Sequence, residues 1–257
     1  LARLKAEIGE ENLNASHHPI IRDSKACLLS SQLAIELAKK NRTRLHILHI
    51  STAEETELFQ IGNPSEKLIT AEACIHHLWF SDQDYPKWGN LIKWNPAIKS
   101  ETDRQAIWNG LLSDKIDVIA TDHAPHTFEE KQEPYLKAPS GGPLVQHALL
   151  AMLEFWKDNK ISLEQIVRKM CHSVADCFQI EKRGYIREGY WADLVLVDPN
   201  QQTVVSQENI HAKCGWSPFM DYRFSHQITH TLVSGHLAYQ RGIFDENVKG
   251  RRLTFER

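Results

Sequence analysis

The sequence predicts an α/β protein: residues 1–185 as the C-terminal part of a (β/α)8 TIM-like barrel, followed by a small β-rich unit over residues 186–257. Short apolar runs that end in polar residues alternate with helical stretches between residues 44 and 122. After Gly142 the pattern turns helical, and beyond Gly189 short β runs with turn signals take over.

Leu1, Leu4 and Ile8 have the spacing of a helix over residues 1–9, and Ala26, Leu29, Leu33 and Leu37 share one face of a second helix over 23–40. Arg44–His49, Lys67–Glu72 and Lys115–Asp122 read as buried strands, and Leu91–Asn95 as an edge piece or an ordered loop. Helical stretches at Ala53–Phe59 and Thr102–Leu112 lie between them, which implies parallel βα units. In barrels of such units the chemistry sits at the carboxyl ends of the strands. This stretch supplies three or four of the eight strands a barrel needs, and the chain begins at Leu1 rather than Met, so the expectation is a piece of a longer protein.

Helices follow over Pro143–Trp156, Ser162–Met170 with Ser162 as N-cap, and Ser173–Phe178. The β runs are Asp193–Asp198, Thr203–Val205 and Thr229–Tyr239, the last broken by Ser234 and Gly235.

Composition narrows the function. Hydrophobic residues are 42% and charged residues 25% of the 257, with a net charge of -3 and basic residues scattered among acidic ones. That leaves no footprint for nucleic acid and no apolar run to span a membrane, so a small-molecule substrate is expected. Five cysteines without a close pair argue for a reducing cytoplasm, and fourteen histidines invite a metal hypothesis.

The sharpest local signal is Thr-Asp-His-Ala-Pro-His at 121–126, after an apolar run. Asp122 there can hold a metal and exchange a proton with water, or it can cap the following turn. His49 closes its run near the carboxyl end and is the better ligand candidate of that strand. Regular alternation would put His46 on the opposite face from it. Glu72 can support a ligand or take an extra metal, and equally can pair with a buried base. His76 and His77 are adjacent and are expected to diverge. Asn95, on a turn fixed by Pro96, offers a donor and an acceptor to an amide or imide. The loop through Pro139, Ser140 and Gly141 either presents backbone groups to a small ring or only connects elements.

Taken together, residues 121–126, Leu-His-Ile-Ser-Thr at 48–52, Ala-Glu-Ala-Cys-Ile-His-His-Leu at 71–78, Lys-Trp-Asn-Pro-Ala-Ile-Lys at 93–99 and the stretch 187–198 resemble dihydroorotases of the amidohydrolase superfamily. The resemblance runs in order over nearly the whole chain. It implies one or two zinc ions, with His49 and Asp122 as metal ligands and Asp122 also catalytic. Asn95, His126, Pro139, Ser140 and Gly141 match positions that hold the substrate. The family's His-x-His, its bridging lysine or aspartate and its other single histidine have no counterpart here, and are expected before Leu1.

The implied reaction is hydrolysis of the cyclic amide of dihydroorotate, or closure of N-carbamoyl-L-aspartate in pyrimidine biosynthesis, with Asp122 moving the proton from the attacking water to the leaving nitrogen. A homodimer is the expected assembly. A hydantoinase or allantoinase would use the same chemistry, although the histidine at 126 fits dihydroorotases better. A non-catalytic scaffold homologue is the alternative from another class.

Overall fold

The apolar runs form one parallel sheet of three short strands, β1 (Leu45–Ile47), β2 (Ile69–Cys74) and β3 (Val118–Ala120), in that order. The computed structural model describes residues 1–256. Leu45 pairs with Ile69 and Ile47 with Ala71, while Glu72 pairs with Val118 and Cys74 with Ala120. Alternate residues of a strand face opposite sides. This register therefore gathers His46, Thr70, Glu72 and Cys74 on one face and sends Ala71, Ala73 and Ile119 into the apolar core.

Parallel strands need crossovers. α4 (Ala53–Thr56) lies between β1 and β2, and α5 (Ile75–Trp79), α6 (Tyr85–Trp88) and α7 (Glu101–Leu112) lie between β2 and β3. Ser100 and Asp103 form a capping box that starts α7, whose Ile107, Trp108 and Leu111 are buried. Trp108 donates from Nε1 to the Leu78 carbonyl at 3.0 Å and stands edge-on to Phe155, with ring centres 4.7 Å apart.

Upstream lie α1 (Ala2–Ile8), α2 (His18–Ile21) and α3 (Ser24–Asn41). The side chain of Asp23 caps α3 by accepting from Ala26 N–H, and Arg42 ends the helix in a left-handed conformation. The apolar stripe that marks α3 as a helix is not the face it buries: Leu29, Leu33 and Leu37 are 55%, 58% and 51% exposed. Ser31, Ile35 and Ala38 turn inward instead. Ser31 donates to the buried carboxylate of Glu55 at 2.7 Å, so a polar contact with α4 sets the helix's rotation.

After β3 come α8 (Phe128–Gln132), α9 (Ala148–Lys157), α10 (Leu163–Val167), a π turn at Arg168–His172 and α11 (Ser173–Phe178). Lys169 of the π turn donates to Ile116 O at 2.6 Å and pairs with Asp114, tying this layer to the start of β3. The remaining strands are antiparallel: β4 (Leu194–Asp198), β7 (Gln227–Val233), β8 (His236–Gln240) and β9 (Ile243–Phe244) form one sheet, and β5 (Thr203–Val204) pairs with β6 (Arg223–Phe224). Ser234 and Gly235 both have positive φ, the geometry of a tight hairpin turn between β7 and β8. Val205, Phe219 and Phe224 are buried in the same core as α9.

β2 extends to Cys74, two residues beyond the expected end, which places Glu72 inside the strand. Leu91–Asn95 is the tail of a 3-10 turn and a loop rather than an edge strand.

Trp108→Ala removes a ring that is 1% exposed and its hydrogen bond. The expected cost is about 3–5 kcal/mol, measured as the drop in unfolding free energy in urea.

Candidate active site

The chain leaves β conformation two residues past the ends of both outer strands. His49 has φ 41° and Asp122 φ 45°, left-handed values that are uncommon for residues other than glycine. Ile50 N–H donates to Glu72 O at 2.9 Å, so the backbone stays beside β2 through this turn. The His49 imidazole and the Asp122 carboxylate are both half-buried, and neither has a hydrogen bond to another described residue. They are electrostatic neighbours: burial raises the pKa of Asp122, the charge of His49 opposes that rise, and Glu72 reinforces it.

Glu72 supports this turn. Its Oε1 accepts from the backbone N–H of His49 at 3.3 Å, and its Oε2 lies 3.1 Å from His46 Nε2. His46 Nδ1 in turn contacts Thr70 Oγ1 at 2.9 Å and Cys177 Sγ at 3.4 Å. Burial works against a charged ring here, yet the contacts with Cys177 and Glu72 outweigh it and raise the pKa of His46 to about 9. The strict alternation expected of His46 and His49 stops at Ile47, where the strand ends. Both residues consequently reach Glu72, one through its ring and the other through its backbone.

Asn95 and the 139–141 loop are held together by buried amines. Lys93 Nζ donates to Tyr135 O at 2.7 Å and Ala138 O at 2.6 Å. Lys131 Nζ donates to the carbonyls of Lys93 (3.2 Å), Pro139 (2.9 Å) and Gly141 (2.8 Å). No carboxylate is among these partners. Burial, with the nearby charge of Lys93, lowers the pKa of Lys131 to about 7. Gly141 N–H donates to Lys93 O at 2.8 Å, and a Cβ at position 141 would stand 2.4 Å from Ala124 O, so the loop passes here only as glycine. His126 Nε2 donates to Ser140 O at 3.2 Å, and its Nδ1 lies 3.8 Å from Glu130. The structure thus brings Asn95, His126, Pro139, Ser140 and Gly141 into one neighbourhood.

His76 and His77 do not diverge. They lie on the helix α5 rather than on a strand, their ring centres are 4.1 Å apart, and His76 stacks on Trp94 at 4.5 Å. Both are buried, and both feel the charge of His49. His123 serves the fold: its Nδ1 accepts from Leu144 N–H and Val145 N–H at 3.0 and 3.2 Å.

A nitrogen donor and a carboxylate without hydrogen-bond partners among the described residues, past the ends of the two strands that flank β2, fit part of a zinc-type ligand set. His49 and Asp122 would contribute two ligands; Glu72 is engaged through both oxygens. Among the described residues no group of three or more His, Cys, Asp or Glu side chains converges on a common metal position.

The amidohydrolase family matches residues 23–238, and the chain belongs to it. It is 35% identical over 198 residues to a dihydroorotase of Halobacterium salinarum, covering 77% of this chain and 46% of that protein. A dihydroorotase of Carboxydothermus hydrogenoformans is 35% identical over 208 residues, covering 80% and 48%. The chain therefore spans about half the length of the curated relatives it matches. Among solved structures, a dihydropyrimidinase from Brevibacillus agri shares the fold with a TM-score of 0.83 at 24% identity, over 93% of this chain and 54% of that one. A D-hydantoinase from Thermus sp. gives 0.83 at 18%, over 95% and 55%.

Sequence reasoning missed His18, Lys93, Lys131 and Tyr135. Lys131 looks like part of a surface charge run, and because its partners are backbone carbonyls, no pattern of side chains could have marked it.

Burial holds His18 and His147 down to about 4 and His77 to about 3, from the ordinary 6.5. The unfolded chain binds protons at these rings before the native one does. Their contribution is complete above about pH 6.5 and is lost as pH falls through about 4. The melting temperature should drop across that window, and His147→Gln should make the drop shallower; equal slopes for both proteins would contradict it.

Proposed function

We propose that this chain carries the carboxyl-terminal half of a dihydroorotase-type active site, which hydrolyses the cyclic amide of dihydroorotate and closes N-carbamoyl-L-aspartate in the reverse direction. The observation that carries the reading is the electrostatic proximity of His49 and Asp122, whose side chains have no hydrogen-bond partner among the described residues, past the carboxyl ends of the two strands that flank β2. The 31–36% identity to proteins named dihydroorotase supports this ring over hydantoin, because the hydantoinase-type structures are 18–24% identical and speak for the fold alone. In this reading residues 1–185 contribute the barrel portion and residues 186–257 the small β domain. The assembly is a cytoplasmic homodimer acting in pyrimidine biosynthesis.

His49 and Asp122 would hold zinc, which when bound supplies Lewis-acid polarisation of the ring carbonyl and a more acidic water. Asp122 takes the proton of the attacking water and passes it to the leaving ring nitrogen. Its pKa, raised by burial, suits a group that must give the proton back. Glu72, braced by His46, holds the His49 turn in place. Asn95 and the backbone of Pro139, Ser140 and Gly141 border the ring and its carboxylate, and His126 fixes that loop through Ser140.

In the zinc-loaded protein as its gene encodes it, Asp122→Asn should lower kcat by at least about 100-fold with an unchanged circular dichroism spectrum; near-native rates would remove Asp122 from the reaction. Chelation should abolish turnover of dihydroorotate and zinc should restore it. Turnover of hydantoin or allantoin without dihydroorotate would overturn the choice of substrate.

A further inference from the structure

Behind Asn95 sits a histidine that neither the family motifs nor the proposed reaction uses. His18, at the start of α2, is 2% exposed and makes three contacts. Its Nε2 lies 2.7 Å from Trp94 O and 3.2 Å from Asn95 Oδ1, and its Nδ1 lies 2.8 Å from the Tyr135 hydroxyl. A backbone carbonyl can only accept, so Nε2 carries the proton. Nδ1 is then the acceptor, and the Tyr135 hydroxyl donates to it. Whatever atom of Asn95 faces Nε2–H must also accept, which fixes it as Oδ1. The opposite end of the amide, Nδ2, has no partner among the described residues, and Asn95 is exposed.

We propose that His18 is a positioning residue that locks the Asn95 amide with its NH2 group outward, so that the site selects a ligand oxygen, a ring carbonyl or a carboxylate, at that point. The inference rests on the cyclic-amide reading for its substrate, although the geometry of the amide does not. An Asn that turned freely would present donor or acceptor equally. One held by His18 rejects a ligand that offers an N–H there, because two donors would then face each other. Tyr135 completes the device: its hydroxyl holds the ring in one tautomer, and Tyr135 O is itself held by Lys93 Nζ at 2.7 Å. The orientation of Asn95 is thereby tied to the segment that leads into the 139–141 loop.

The test is a double-mutant cycle in the zinc-loaded protein as its gene encodes it, with dihydroorotate as substrate. His18→Leu should raise KM about tenfold, more than it lowers kcat, and His18→Gln, whose amide can donate to the same two oxygens, should recover most of the loss. In an Asn95→Ala background His18→Leu should add nothing further. Additive effects, or an unchanged KM in a folded His18→Leu protein, would overturn the proposal. Should His18→Leu not fold, Tyr135→Phe replaces it, with the same KM rise expected only while Asn95 is present; an unchanged KM there is equally fatal. Should the native protein open no cyclic amide, the reading of its function fails separately. The Asn95 side-chain NH2 resonances, assigned by their loss in Asn95→Asp, then decide: they should move in His18→Leu (in Tyr135→Phe if His18→Leu does not fold) and stay in His18→Gln, and resonances unmoved in that first variant sink the idea.

Discussion

Parallel pairing of β1 and β3 on either side of β2 brings the carboxyl ends of all three strands to one edge of the sheet, and past each outer strand the chain turns left-handed two residues later. His49 and Asp122 owe their proximity to that register. A one-residue slip of β2 against its neighbours would send Thr70 and Glu72 into the apolar core and bring Ala71 and Ala73 to the face of His46. The cost of the left-handed turn at His49 is met locally: Glu72 accepts from the His49 backbone, and Ile50 keeps its bond to β2.

Around this turn the polar groups are organised in two separate systems. One is acidic and basic in alternation, running from Cys177 through His46 and Glu72 to the His49 backbone. The other uses amines and imidazole against carbonyl oxygens, with Lys93, Lys131 and His18 gripping residues 94–95 and 135–141. The first governs where the would-be metal ligand sits, and the second where a ligand's oxygens would be met. Three carbonyl oxygens face the Lys131 amine, so the second system is hydrogen-bonded without a carboxylate beside the 139–141 loop.

Much of the architecture was legible because it follows from periodicity. The βα alternation, the Ser162 cap and the hairpin at Ser234–Gly235 each rest on local rules, and each occurs where those rules place it. The motif around Asp122 and the histidine at 49 were legible because strand ends are recognisable in sequence. What escaped notice depends on contacts between distant segments. The buried face of α3 is chosen by Ser31 meeting Glu55, the closeness of His76 and His77 follows from a five-residue helix, and the role of His18 is set by a carbonyl and a hydroxyl far along the chain.

The fixed path at Gly141 divides the loop into a part open to sequence change and a part closed to it. Ser140 meets His126 through its carbonyl, so replacing its side chain leaves that bond in place, whereas any replacement at 141 runs into Ala124. Sequence change by natural drift or in a randomised library should accordingly accumulate at 140 and spare 141, because only the former leaves the backbone on its path.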